Sequence, residues 1–555
     1  PRRAASLRKG YAMKIAAAQI NPTIGDISGN VEKILQYINR AKELGAGLVI
    51  FPELCLTGYP PRDLLERSSF IEQNINALGE LAPKVKDISA LVGFVEKNLS
   101  AEGKPLYNAA ALLEGGEIAY VTFKSLLPTY DVFDESRYFE PAAGTAPLKI
   151  GGQKIALTIC EDIWTDEMCG PRKYAKDPLA EMAKKKFQLI LNMSASPWSI
   201  GKDTLREELM KKQAKTYNCP VICVNQVGGN DELVFDGNSL AVDGSGNVIA
   251  HAKPFEEDII LVDLDYGAGD QHNLKLTDAD ATYRALVLGT RDYAHKCGFK
   301  KAVVGLSGGI DSALVAVIAA EALGHDNVLG VSLPSQFTSD ASKKDAQSLA
   351  QHVGIDFKTI PIQPIFDSFA AEIGKVISGR PGDLSEQNLQ SRIRGTVLMS
   401  ISNKQGHLLL STGNKSELAT GYTTLYGDMA GGLDVLADVP KTLVYRIAKE
   451  VVNSGRELIP ANTIQRPPSA ELRHNQRDSD DLPEYDVLDP ILKLYIEEMK
   501  SPEDIVAAGH AKDAVDKVVA LVEKSEYKRR QTPVGLRVTS KAFGTGRRLP
   551  IARKL

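Results

Sequence analysis

Lys301–Leu323 places a short β-branched run, KAVVG, before the turn LSGGIDS and then an apolar, alanine-rich run that reads as a helix. A strand that feeds a helix through a glycine turn belongs to layered α/β architecture, with ligands gathered at the carboxyl ends of the strands. Gly308 and Gly309 let the backbone turn tightly and bring N–H groups close to a ligand, and the helix start adds a partial positive charge for an anion. Ser307 and Ser312 offer hydroxyls, and Asp311 offers a carboxylate for a hard cation that would bridge phosphates. No Gly-Lys-Ser/Thr follows, so this is not the Walker phosphate loop. The bland alternative is a Gly-rich turn without a ligand.

The remaining sequence fits two large domains. At 555 residues, 43% hydrophobic and 25% charged, the chain can bury large cores. A net charge of −4 gives no reason to expect nucleic acid or an anionic membrane as partner. No uninterrupted apolar run reaches membrane-spanning length. Residues 1–12 are locally basic without the apolar core of a signal and read as a disordered leader. Cys55, Cys160, Cys169, Cys219, Cys223 and Cys297 are scattered without a pairing pattern, as in a reduced, cytoplasmic protein. From Met13, MKIAAAQI, a helical NVEKILQYINRAKELG and GLVIFPEL give strand, helix, strand. Strand-like runs recur at SALVGFVE, AAALLE, KIALTIC, LILNMSA, PVICVNQV and SLAVD. Asp263–Asp280, rich in Gly, Asp and Asn, breaks the pattern. The expected division is therefore a first domain over 13–264, a linker over 265–280 and a second domain over 281–555.

Three residues in the first half follow strand-like runs: Glu53 in VIFPEL, Lys124 in VTFKSLLP and Cys160 in ALTICEDIW. A thiolate nucleophile needs a base for its proton and a cation for the developing oxyanion, and a carboxylate and an amine could supply them. Alone, each is more commonly a buried cysteine or a solvated charge. FPELCLTGYPPRDLL, KSLLPTYDVFDESRYF and CEDIW, in that order, resemble the Glu-Lys-Cys amidase domain of the nitrilase superfamily. The resemblance implies an α-β-β-α sandwich, with Glu53 as general base, Lys124 as oxyanion stabiliser, Cys160 as nucleophile and Glu135 as an orienting carboxylate.

SGGIDS itself resembles the loop of the ATP pyrophosphatases. With SEQNLQSRIRGTVLMSISN, LLSTGNKSELATGYTTLYGD, DVPKTLVY, PPSAELRHNQRDSDDLPEYDVLD and YKRRQTP, it resembles the synthetase domain of NAD synthetase. Both halves together look like the glutamine-dependent NAD synthetase family. Thr129 and Asp131 stand where that family usually has Asn and Gly around the tyrosine. The implied second fold is a doubly wound parallel sheet. The implied reaction is ATP-dependent amidation of deamido-NAD with ammonia from L-glutamine, with Mg²⁺ and ATP as co-substrate, in a homo-oligomer. On this resemblance Tyr130, Ser196 and Lys202 hold glutamine, while Gly305, Leu306, Ser307, Gly308, Gly309, Ile310, Asp311, Ser312 and Thr412 hold ATP. Asn388, Glu417, Tyr422, Thr423, Thr424, Leu425, Asp428, Lys441 and Lys528 line the deamido-NAD site, and Asp311 and Glu417 reach the metal. Another glutamine-fed ATP-pyrophosphatase ligase is the alternative enzyme, and a scaffold with a dead amidase remnant the alternative class.

Overall fold

The computed structural model describes residues 13–164, 174–376 and 383–554. The leader expected at 1–12 lies outside the described residues, as does Cys169. The chain divides into two compact units, one ending at Lys275 and the other beginning at Leu276, with Asp231–Val234 grouped with the second.

The first unit is a four-layer α-β-β-α sandwich. One sheet of seven strands runs in the order Ala268–Gly269, Asp258–Asp263, Lys14–Gln19, Leu48–Ile50, Ser89–Lys97, Leu106–Glu114 and Glu117–Phe123. The other, of six, runs Val248–His251, Leu240–Val242, Val221–Asn225, Leu189–Ser194, Gln153–Ile159 and Leu148–Ile150. Strand periodicity of two explains the layering. Ile155, Leu157 and Ile159 point between the sheets, where they meet Ile15, Ile50 and Leu91 of the facing sheet. Ala156, Ile190 and Cys223, one step out of phase, point the other way onto Leu209, Met210 and Ala214 of helix Lys202–Tyr217. Both faces of these strands are buried, so they read as continuous apolar runs rather than alternating ones.

In the stretch expected as a linker, Ala268 pairs with Asp263 and Gly269 with Val262. Helix Asp278–Lys296 then opens on a capping box between Thr277 and Asp280.

The second unit centres on six parallel strands in the order Asp356–Thr359, Val328–Ser332, Ala302–Gly305, Leu408–Ser411, Leu433–Asp434 and Val534–Gly535. In chain order this is 3-2-1-4-5-6, so the order reverses between Ala302–Gly305 and Leu408–Ser411. The loops after those two strands therefore open a crevice. On one face, Val303, Val331 and Leu409 pack with Ile393 of helix Leu384–Gln405. Helix Ile310–Leu323, buried nearly all round, lies against the central strand as well. Among the described residues no helix is long and apolar enough to cross a membrane.

Candidate active site

Cys160 ends strand Gln153–Ile159 and begins a single turn, Cys160–Ile163, with φ +47°. A non-glycine residue held in that left-handed region costs about 1–3 kcal/mol, so the surrounding structure must impose it. Asp162 does much of this. Its Oδ1 accepts from the Ser125 and Leu126 N–H groups at 2.9 and 2.8 Å, and its Oδ2 accepts from Ile159 N–H at 3.2 Å. The Cys160 turn is thereby fixed to the chain just after Lys124.

The Lys124 ammonium is completely buried and donates to Glu53 Oε1 at 2.7 Å and Glu135 Oε1 at 2.8 Å. Asn108 Nδ2 and the Ala195 N–H hold the two oxygens of Glu53 at 2.7 and 3.0 Å, and Tyr59 OH donates to Glu135 at 2.8 Å. Burial alone would discharge Lys124, but Glu135 and Glu53 outweigh it and hold the ammonium well above the ordinary lysine range. Burial raises the Glu135 carboxyl to about 7, against the pull of Lys124. Burial, reinforced by the Glu53 carboxylate, pushes the Cys160 thiol well up. The sequence-predicted Glu53, Lys124 and Glu135 are thus one buried ion cluster whose charges act on the Cys160 thiol. This cluster can take a proton from a thiol and face a cation to an oxyanion.

Two of the expected glutamine residues, Tyr130 and Lys202, lie about the same turn. Tyr130 OH donates to Glu161 Oε1 at 2.8 Å, and Tyr174 OH to the same oxygen at 2.7 Å. The Lys202 ammonium sits 4.0 Å from the ring centroid of Trp164, at the end of that turn. Ser196 donates its N–H to Asn225 Oδ1 at 2.9 Å. Asp131, where the family usually has glycine, takes φ +53°, a conformation glycine favours and Asp tolerates.

In the second unit, Gly308 has φ +84°, and a Cβ there would lie 2.4 Å from the Ser342 carbonyl oxygen. Only glycine fits. The hydroxyls of Ser307 and Ser312 lie 3.1 Å apart, and Ser307 Oγ accepts from Gly309 N–H at 3.2 Å, which shapes the loop from within. The whole of Gly305–Ser312 lines a pocket shared with Thr412, Glu417, Tyr422, Asp428 and Lys441.

The buried Lys441 ammonium pairs with Asp311 Oδ2 and lies 3.4 Å from Glu417 Oε1. Asn414 joins them, donating from Nδ2 to Asp311 at 3.0 Å and accepting the Glu417 N–H at 3.0 Å. Burial raises Glu417 to about 8 even with Lys441 beside it, so a second cation would favour its ionised form. Asp311 and Glu417 both contact the Lys441 ammonium. Among the described residues no third acidic, histidine or cysteine group completes a metal cluster. That donor set fits Mg²⁺, which takes one or two carboxylates and completes its shell with substrate phosphates.

Among the described residues, Asn388, Thr423, Thr424, Leu425 and Lys528 are not part of the pocket lining; Asn388 and Lys528 hold the segment Gly421–Asp428, to which the other three belong. Thr424 Oγ1 donates to Asn388 Oδ1 at 2.9 Å and Thr424 N–H to Asp428 Oδ1 at 2.7 Å. Lys528 Nζ donates to the Gly421 and Thr423 carbonyls, and Arg392 Nε to the Leu425 carbonyl at 3.1 Å.

Other residues enter unannounced. Arg466 donates to the Gly308 carbonyl at 3.0 Å, and Glu471 accepts from Ser342 Oγ at 2.7 Å. Arg394, whose guanidinium burial lowers to about 10, lines the pocket as well. Glu161 and Asp162 do the same work beside Cys160. Arg394, Glu471, Glu161 and Asp162 fall inside the motif segments, yet only their surroundings reveal what they hold.

Residues 14–271 match the carbon-nitrogen hydrolase family and residues 282–532 the NAD synthase family. A glutamine-dependent NAD(+) synthetase of Synechocystis is 50% identical over 549 residues, 97% of this chain and 98% of the relative. One of Thermotoga maritima is 44% identical over 583 aligned residues, 98% and 99% of the two chains. The solved structure of glutamine-dependent NAD+ synthetase from Acinetobacter baumannii, in complex with ADP, superposes with a TM-score of 0.77 at 40% identity, covering 97% of this chain and 98% of that one. With such identity sustained from end to end, and both sites built as described, this chain belongs to the glutamine-dependent NAD(+) synthetases.

Proposed function

We propose that the chain converts deamido-NAD to NAD with ATP and ammonia drawn from L-glutamine, yielding AMP, pyrophosphate and glutamate. The observation that carries this is the Lys124 ammonium held between Glu53 and Glu135 beside the strained Cys160, in a chain of this family that also carries the SGGIDS pocket. The family matches at 14–271 and 282–532 support assigning glutamine hydrolysis to the segment 13–264 and the synthetase reaction to 281–555.

In the first site Glu53 takes the Cys160 S–H proton as sulfur attacks the glutamine side-chain amide. Lys124 faces the oxyanion, and Glu135 keeps Lys124 charged and placed. Glu53 returns the proton to the leaving ammonia, and water then hydrolyses the glutamyl thioester with Glu53 as base. Tyr130, Ser196 and Lys202 take the amino-acid end of glutamine.

In the second site an oxygen of the nicotinate carboxylate attacks the α-phosphorus of ATP, and pyrophosphate leaves. Ammonia then attacks the acyl carbon, AMP leaves, and the amide of NAD remains. The loop N–H groups and Lys441 bear the phosphate charge. Asp311 and Glu417 would hold Mg²⁺, which supplies further charge neutralisation on the phosphates. The ADP held by the Acinetobacter baumannii relative supports adenine-nucleotide binding here.

The test is product analysis with glutamine, ATP and deamido-NAD supplied together. NAD, AMP and pyrophosphate are expected in equal amounts, with glutamate at least equal to them. ADP in place of AMP, or equal turnover with xanthosine monophosphate or aspartate, would assign the chain to another ligase class.

A further inference from the structure

Glu417 stands on helix Lys415–Thr420, which is only six residues long. So short a helix has almost no internal hydrogen bonding to hold it, and its last carbonyls need partners from elsewhere. They find them in one place, Ser525–Arg529. Arg529 NH1 donates to the Leu418 and Ala419 carbonyls at 3.4 and 2.7 Å, and Ser525 Oγ to the Thr420 carbonyl at 3.0 Å. Lys528 takes the next two available, Gly421 and Thr423, at 2.6 and 2.7 Å. Cations at a helix C-terminus also complement its dipole. The approach is close enough that Gly421, at φ +71°, could carry no side chain: a Cβ there would lie 2.1 Å from Ser525 Oγ.

Arg529 is itself immobilised. Its Nε and NH2 donate to Glu526 Oε2 at 3.2 and 3.0 Å, its NH2 also reaches the Val522 carbonyl at 2.5 Å, and its guanidinium lies 4.9 Å from the Phe543 ring centroid. Arg547 holds the same Glu526 oxygen from another side at 2.9 Å. At the opposite end of the helix, Asn414 caps Glu417 and binds Asp311. The helix is therefore a short lever, with one end in the pocket and the other gripped by a fixed guanidinium. The segment Gly421–Asp428 leaves from the gripped end.

From this we infer that Arg529 is a positioning residue for the synthetase site, setting the stance of Glu417 and of Gly421–Asp428 without touching substrate. The inference rests on the reading that this segment receives deamido-NAD. A lysine cannot serve in its place, because one ammonium cannot span the two carbonyls and Glu526 as the planar fork does.

The experiment is ammonia-dependent NAD synthesis by the full chain, with deamido-NAD and ATP varied in turn, for the unaltered protein, Arg529→Lys and the milder Ser525→Ala. Arg529→Lys should raise the KM for deamido-NAD about tenfold, the effect of losing one charge-assisted hydrogen bond. The KM for ATP should rise with it, because Glu417 shares the pocket of the phosphate loop, and basal glutamine hydrolysis should be unchanged. Ser525→Ala should raise the KM for deamido-NAD about threefold, and it decides the matter if Arg529→Lys does not fold. A lower Tm with fewer active molecules, but both KM values unchanged in the folded variants, would show a merely structural residue and overturn the inference. An unaltered chain that does not turn over deamido-NAD would overturn the functional reading, and the inference with it.

Discussion

A thiol that burial has pushed up is a weak nucleophile until a base takes its proton, and in the proposed scheme that base is Glu53. Cys160→Ala should abolish NAD formation from glutamine while leaving synthesis from ammonium salts largely intact, measured as NAD formed from each nitrogen source. Lys124→Met should have the same selectivity and lower glutamine-dependent turnover by about 10²–10³-fold, the usual cost of one oxyanion donor. The Glu135 carboxyl, raised to about 7 mainly by burial, gives a pH test. Below that value it is protonated and no longer offsets the Lys124 charge; above it the carboxylate forms and fixes the ammonium. Glutamate release should therefore rise as pH climbs through about 7, and Glu135→Gln should be slower and lack that limb between pH 6 and 8. A profile unchanged by the substitution would remove Glu135 from the proton economy of the site.

At the scale of elements, the two sites differ in how they are assembled. Glu53, Lys124 and Cys160 follow strands, and strand ends are legible because β-branched runs stop at them. Asp311 and Glu417 meet because the strands before their loops are neighbours in the sheet, with Ala302 opposite Leu408 at the reversal of strand order. That adjacency has no signature in spacing, since the two loops are about a hundred residues apart. The SGGIDS turn could be read from its glycines, and Gly308 bears the reading out through its φ and its approach to Ser342. Gly308→Ala should weaken binding of a non-hydrolysable ATP analogue by tenfold or more in calorimetry. It must pay about 1–2 kcal/mol for the left-handed backbone, in addition to displacing a carbonyl at 2.4 Å. Unchanged affinity would show that the loop does not need this conformation to bind. What the sequence hid were side chains whose value lies in distant partners. Asp162 matters through the N–H groups of Ser125 and Leu126, Arg466 through the Gly308 carbonyl, and Lys528 through the Gly421 and Thr423 carbonyls. A hydrogen bond between remote segments leaves no periodicity to detect.

At the scale of the molecule, two compact units with separate cores carry two sets of reacting groups, so a change in one set should leave the basal chemistry of the other standing. Asp311→Asn tests this most sharply. The substitution keeps the size of the side chain and its ability to accept from Asn414, but it deletes the charge that Lys441 and a divalent cation would share with Glu417. Lys441 would then keep Glu417 and the Asp478 carboxylate, and the pocket would enter the reaction one negative charge short of what Mg²⁺ requires. NAD synthesis should fall sharply with glutamine and with ammonia alike, and its dependence on Mg²⁺ should move to higher concentration. Glutamate release in the absence of ATP and deamido-NAD, which depends on Cys160, should persist. Paired kinetics on one preparation, recording NAD from ammonia and glutamate from glutamine as Mg²⁺ is varied, checks both halves of the expectation together. If ammonia-dependent synthesis and its Mg²⁺ dependence are both unchanged, Asp311 is no metal ligand, and its carboxylate serves only to hold Lys441 and Asn414.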